Sequence, residues 1–500
     1  MMMLTIALFA PLVGALILLV LPNDNAPRLR ATATVIAAAP LALLVLAWTR
    51  FRGAAGFEQV ESVRWIPTLG ASFTVGIDGI SLPLATMTAL LFVAAIVYPI
   101  DHKGKPKAYY ALFLFLETAS LGVFLSLDLL LFYVFFDLSI VGMYFLIAGW
   151  GHGDAARRAA LKFFLYTFLG SLAILLAILA LYLGSGDGLT TARTFDMARL
   201  IALHPLDGPG VLPTLAFLGL AVGFAIKTPL VPFHTWLPPA HVDAPAPASA
   251  ILAGVLLKMG TYGFVRVALA MMPRTFERFA LPIAIVALLS ILYGSLVALA
   301  QSNLKRRIAY TSVNHMGYVM LGVAATGGLI TGQPNARALA LTGATVEMVA
   351  HGLITGALFL ISGSIWQRAG TYEMREFGGL ARRAPILAGL TAVAVFASLG
   401  LPGLAGFVAE FQVFVGAFAV FPWLAAVGLL GIIITAALFL QLLQRVFLGD
   451  MPDRWGTWPR LGNVETTVLA VLLLLVVAIG VAPAPLLAVV NAGVQPFVTR

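Results

Sequence analysis

Cysteine is absent from this chain, and charge is scarce: only 10 % of its 500 residues are Asp, Glu, Lys or Arg. Without thiols no disulfide and no thiolate-ligated iron–sulfur cluster can form. No hydrophilic stretch is long enough to make a separate soluble domain. No G-x-G-x-x-G stands on a strand–helix unit, so the sequence offers no dinucleotide or flavin site. The net charge of +9 comes from basic residues scattered in short loops, which argues against nucleic-acid binding.

What the sequence has instead is apolar length. It is 61 % hydrophobic with a mean hydropathy of +1.00. Runs of about 18 or more apolar residues, the mark of a transmembrane helix, recur to its end. The chain is therefore expected to be an all-α polytopic membrane protein, a single transmembrane domain over 1–500. Fourteen spans are predicted, at roughly 3–21, 31–49, 80–100, 109–127, 129–149, 159–183, 212–240, 246–271, 279–300, 307–328, 338–367, 386–416, 422–446 and 466–491. The first run lacks a basic start and an A-x-A-like site, so it is expected to be retained. The connection 50–78 is the longest between the early spans, and its SFTVGID segment reads as extended.

Loops after odd-numbered spans carry roughly twice the Lys and Arg of the others, Lys305, Arg306 and Arg307 among them, which places those loops in the cytoplasm. Both termini are then expected on the periplasmic side of a bacterial inner membrane.

Two spans contain breaks. Span 7 has KTPLVP at 227–232, and span 12 has LGLPG at 399–403. Proline removes a backbone donor and clashes with the preceding turn. Broken helices at corresponding places in two halves point to a transport site built from repeats. Spans 4–8 (109–271) and 9–13 (279–446) would form two inverted five-helix repeats, with spans 7 and 12 as counterparts.

The charges inside these spans carry the chemistry. Lys227 marks the span 7 break, and Asp137 lies deep in span 5. Lys258 lies midway along span 8, expected to be continuous. Glu410 follows the span 12 break. Intramembrane charges are expensive and usually line ion or proton pathways. A buried lysine whose carboxylate partner can approach or retreat can take up and release a proton. Asp137 is the natural partner of Lys227, with a static structural pair as the alternative. His315 and His351 fall inside spans 10 and 11, as relays or as packed, hydrogen-bonded side chains. Glu347 lies one turn before His351. Glu117 in span 4 is a secondary candidate beside it. Asp128 reads as a cap, and Arg266 as interfacial or structural. His234, His241 and Asp243 cluster near the end of span 7, but across prolines their spacing matches no metal-ligand pattern.

HTWLPPAHVDAPAPASAILAGVLLKMGTYGFVR, LKRRIAYTSVNHMGYVMLGVAA, HGLITGALFLISG and ASLGLPGLAGFVAEF resemble the M-type, antiporter-like membrane subunits of proton-pumping NADH–quinone oxidoreductase, respiratory complex I. The resemblance spans about 75–450 in matched blocks. The wider family includes Mrp-type sodium/proton antiporter subunits. The resemblance implies that Asp137 pairs with Lys227, that Lys258 is the central relay, that His315 and His351 line the axis, and that Glu410 stands near the outward exit. It also implies L-type and N-type antiporter-like neighbours in a membrane arm within the lipid bilayer. NADH, FMN, iron–sulfur clusters and quinone would then lie in partner subunits, with no cofactor or metal in this chain. Two positions depart from the family pattern. Asp137 stands where glutamate is usual, so its carboxylate falls one methylene short. Pro239 stands where aspartate is usual, losing a charge and a backbone donor.

The reading is a proton-translocating subunit of a redox-driven complex. The alternatives are a subunit of a Mrp-type sodium/proton antiporter and a non-pumping scaffold.

Overall fold

The computed structural model describes residues 2–22, 25–187, 192–328 and 333–498. Helices α1 (Met3–Val20) and α2 (Ala26–Arg50) lead to a hairpin of β1 (Glu58–Ile66) and β2 (Ala71–Ile77). Then come α3 (Ser81–Val97), α4 (Pro106–Leu125), α5 (Leu129–Trp150), α6 (Ala155–Gly184), the short α7 (Met197–Leu203), α8 (Val211–Lys227) and the short α9 (Leu237–Asp243). The second half holds α10 (Ala246–Leu269), α11 (Pro273–Ala300), α12 (Leu304–Thr326) and α13 (Pro334–Ala369). It closes with α14 (Pro385–Ser398), α15 (Ala405–Val420), α16 (Pro422–Phe447), α17 (Asn463–Val481) and α18 (Ala484–Val498).

Among the described residues, ten helices are long and apolar enough to cross a membrane. Helices suit that solvent because each satisfies its own backbone hydrogen bonds. Proline opens α4, α11, α13, α14 and α16. There the missing N–H would have had no intrahelical partner anyway.

The chain is not wholly helical. The SFTVGID segment is extended as expected, but it pairs antiparallel with β1, which the sequence reading left as a connection. The hairpin ties element ends together. The Glu61 carboxylate accepts from the backbone N–H of Leu4 and Thr5 at 2.9 Å each, capping α1. Asp128 caps α5 by accepting from Leu130 and Leu131, and its other oxygen accepts from Ser72 of β2.

α10 and α13 are buried along their entire apolar windows and form the centre of the bundle. Their backbones approach closely where Gly254 faces Gly352: a Cβ on Gly254 would lie 3.2 Å from the Gly352 carbonyl oxygen. α10 is not regular. Leu252–Leu256 and Phe264–Leu269 are π-helical and flank Lys258, so the expectation of an unbroken span 8 is corrected. Wider i→i+5 turns free local carbonyls and concentrate at functional positions. The last predicted span is also interrupted, at Ala482 and Pro483 between α17 and α18.

Candidate functional site: a buried ionisable axis

Lys227 is the last residue of α8, where the helix breaks. Beyond it the backbone turns before α9, and the Trp236 indole N–H closes the break by donating to the Ile226 carbonyl at 2.9 Å. The negative end of the helix dipole favours a cation there. Lys227 is buried, donates to Ser139 Oγ at 3.1 Å, and lies 4.9 Å from the Phe136 ring centroid. Asp137 is only half-buried, and its Oδ1 has no hydrogen-bond partner. Among the described residues no ion pair joins it to Lys227. The shorter acid thus stands apart from the lysine, leaving Ser139 as the direct contact.

Pro239 proves harmless locally. It falls in the first turn of α9, where a missing N–H breaks no intrahelical bond.

Lys258 occupies the centre, fully buried between the two π segments. Its Nζ lies 2.6 Å from the Ala253 carbonyl, inside the first π-helical segment, and 2.6 Å from His351 Nδ1 on α13. The Gly254–Gly352 approach brings these two side chains together. His351 and His315 follow one another, with ring centroids 5.2 Å apart. His315 Nδ1 lies 2.7 Å from the Thr311 carbonyl and Nε2 lies 3.0 Å from the Ser398 carbonyl. Ser398 ends α14, so that carbonyl comes from the second helix break. His315 Nε2 is 3.9 Å from Glu410 Oε1 on α15. Glu410 packs against Gly400, whose φ of 75° lets the chain turn between α14 and α15.

One atom each of His315, Glu347 and Glu410 falls within 4.8 Å of the others. Two carboxylates and an imidazole could serve as metal ligands. Here both imidazole nitrogens face backbone carbonyls, so whichever carries the proton donates and the ring is fixed in place.

Glu347 is buried with Oε2 unpartnered. Glu117 is fully buried on α4 with both oxygens unpartnered, and no hydrogen bond joins it to the axis. His234 packs near the Tyr293 and Tyr310 rings while His241 stacks on Phe359, so they do not converge with Asp243 on one point.

Arg266 is structural, one of its two expected readings: it forms a buried ion pair with Asp78, in the link from β2 to α3. Lys305 and Arg307 were assigned to a basic loop, but both are fully buried in the first turn of α12 while Arg306 between them is exposed. The helical period could have separated them: positions 305 and 307 do not share the face of 306.

The broken α8 and α14–α15 flank a continuous line of buried lysine, histidine and carboxylate groups. That architecture defines a polytopic membrane protein with an ionisable axis across its apolar core, the class of antiporter-like membrane subunits. Residues 126–435 match the family described as NADH:quinone oxidoreductase/Mrp antiporter, TM, and the chain belongs to that family. It is 39 % identical over 454 residues to F(420)H(2) dehydrogenase subunit M of Methanosarcina mazei, covering 90 % of this chain and 89 % of that one. It is 38 % identical over 449 residues to NADH-quinone oxidoreductase subunit M of Rickettsia prowazekii, covering 89 % and 87 %. Its fold matches a chain of respiratory complex I from Thermus thermophilus with a TM-score of 0.87 at 31 % identity over 99 % of both chains. A chain of the Mrp complex from Dietzia shares the fold, with a TM-score of 0.84 at 22 % identity, over 99 % of this chain and 52 % of that one.

Proposed function

We propose that this chain is a proton-translocating membrane-arm subunit of an NADH–quinone oxidoreductase-type complex. The observation that carries this is the line Lys258, His351, His315, Glu410, closed between two helix breaks. Protons enter from the cytoplasm toward Lys227, whose charge Asp137 and Ser139 bias. They pass through water to Lys258, then along His351 and His315, and leave by Glu410. Glu347 buffers the last step, and Glu117 stands aside as a secondary group. Fourteen spans, as two inverted five-helix repeats inside flanking helices, suit this reading. So does an inner-membrane location with both termini periplasmic.

Redox chemistry lies elsewhere. NADH or another donor, FMN, iron–sulfur clusters and quinone belong to partner subunits, and L-type and N-type neighbours flank this chain. A bound donor supplies the free energy, and this chain's residues hold and move protons.

The test is proton uptake and electron transfer measured together in membrane vesicles carrying the assembled complex. Lys227→Ala is expected to lower protons moved per electron pair. Sodium-driven proton exchange without any electron donor would favour the Mrp-type antiporter reading instead. Asp137→Asn removes the carboxylate at nearly constant volume. It is expected to slow coupled proton transfer about three- to tenfold, each tenfold being about 1.4 kcal/mol. Asp137→Glu is expected to hold the parent rate. Equal rates in all three would show that Asp137 does not act on Lys227.

A further inference from the structure

The axis leaves unused a second set of buried polar groups at the end of the bundle that carries the basic loops. Lys305, in the first turn of α12, is fully buried. Its Nζ donates to the Ala244 carbonyl between α9 and α10, and lies 5.3 Å from the Tyr372 ring centroid. The carboxylate acting on it is that of the adjacent Asp243.

His241 lies further in. It is fully buried, its ring stacks on Phe359 of α13 at 4.4 Å and 10°, and neither ring nitrogen has a hydrogen-bond partner. A buried, unbonded imidazole is rare and calls for an explanation. The cations that act on it are Lys305 and Lys258. His351 in turn is acted on by Lys258, His315 and His241. His241 therefore stands electrostatically between the basic end and the centre of the axis.

A cavity of about 330 Å³ opens beside this set, lined among others by Tyr98, Asp101, Lys103, His152, Trp366 and Tyr372. At about 30 Å³ per molecule it has room for on the order of ten waters. Its walls are tied to the same elements. The His152 N–H donates to the Asp243 carbonyl at 2.7 Å, and the Leu304 N–H donates to the Tyr372 carbonyl at 2.8 Å. In the loop between α5 and α6, burial, with Lys305 and Lys103 nearby, lowers the His152 imidazole to about 4. It is thus neutral at working pH and does not repel an incoming proton.

We propose that Lys305 and His241 form a second proton input, which reloads Lys258 from this cavity. A proton from cavity water passes to Lys305, held by the Ala244 carbonyl with the Asp243 carboxylate acting on it, then to His241, then to His351 and Lys258. His241 accepts at one ring nitrogen and releases from the other, so the ring ends neutral and only a proton has moved. This deepens the function proposed above and rests on it.

The test compares His241→Gln and Lys305→Arg in the whole complex, in inverted vesicles whose exposed face is the cytoplasmic one. Assembly is checked by native gel, and Lys258→Ala serves as reference. Arginine keeps the charge and can keep the carbonyl contact, but it does not release its proton. Both variants are expected to assemble and to pump about fivefold slower or worse, short of the full loss of an acid–base group because entry by Lys227 remains. The deficit should widen at alkaline external pH, where proton delivery limits. Pumping at the parent rate, or a deficit that ignores pH, would make both residues structural and overturn the proposal. Should His241→Gln not assemble, Lys305→Arg decides alone. If Lys258→Ala itself pumps normally, the proposed function fails; if only these two variants do, the input proposal alone fails.

Discussion

Lys258→Ala is expected to abolish most proton pumping while the complex still assembles. Lys258 is the group through which both halves of the line meet. It is fully buried, has no carboxylate in ion-pair contact among the described residues, and its Nζ lies 2.6 Å from His351 Nδ1. Such a lysine is not a structural salt bridge, because it lacks the partner that a stabilising pair requires. Removing it leaves the Ala253 carbonyl and His351 Nδ1 unsatisfied, at about 1–3 kcal/mol. That is a tolerable loss in a bundle whose central helices α10 and α13 are closely packed and buried along their apolar windows. Losing the relay is worse. A positioned acid–base group contributes about a hundredfold or more to proton transfer. Pumping should therefore fall by about that factor, and coupled electron transfer should fall with it. Lys258→Met, which preserves length without charge, should behave alike, and Lys258→Arg should assemble but not pump. Assembled complex that pumps at the parent rate would favour the scaffold reading.

The charges that were legible in the sequence share one property: each interrupts an apolar run, where only function or a partner can explain it. That held for Lys227, Lys258, Asp137 and Glu410, and the helix breaks were marked by proline and glycine. Lys305 and Arg307 were hidden because they lie at a span end, beside a genuinely exposed Arg306. A rule that counts basic residues in loops gives all three the same weight. Asp78 was hidden for the same reason, at the edge of a polar connection. The π-helical turns around Lys258 have no residue signature, since they are a register choice made by packing. Distance was also illegible. The sequence could propose that Asp137 faces Lys227, but only the packing of α5 against its neighbours leaves Ser139 as the contact.

Asp78→Asn is expected to destabilise the chain by roughly 3–5 kcal/mol, the usual cost of stranding one member of a buried ion pair. Asp78 does two jobs. Its Oδ1 accepts from the backbone N–H of Ile80 and Ser81, starting α3, while Oδ2 meets the Arg266 guanidinium. Asparagine can keep the first contact but not the charge. Arg266 would then be left on α10 with only the Tyr262 hydroxyl, 3.1 Å from its Nε, and the Phe57 ring, 4.9 Å away. The loss falls on the π-helical segment Phe264–Leu269, two turns from Lys258, and so bears on the geometry of the relay as well as on stability. The measurement is the fraction of assembled complex retained on mild heating in detergent, followed by native gel, for Asp78→Asn, Arg266→Met and the double variant. Removing both charges together should recover most of the loss, because a buried pair replaced by apolar groups is often neutral. The cycle isolates the pair energy from the capping role of Asp78. A double variant as unstable as Asp78→Asn would show that the loss does not come from a stranded Arg266 charge and would overturn the ion-pair account.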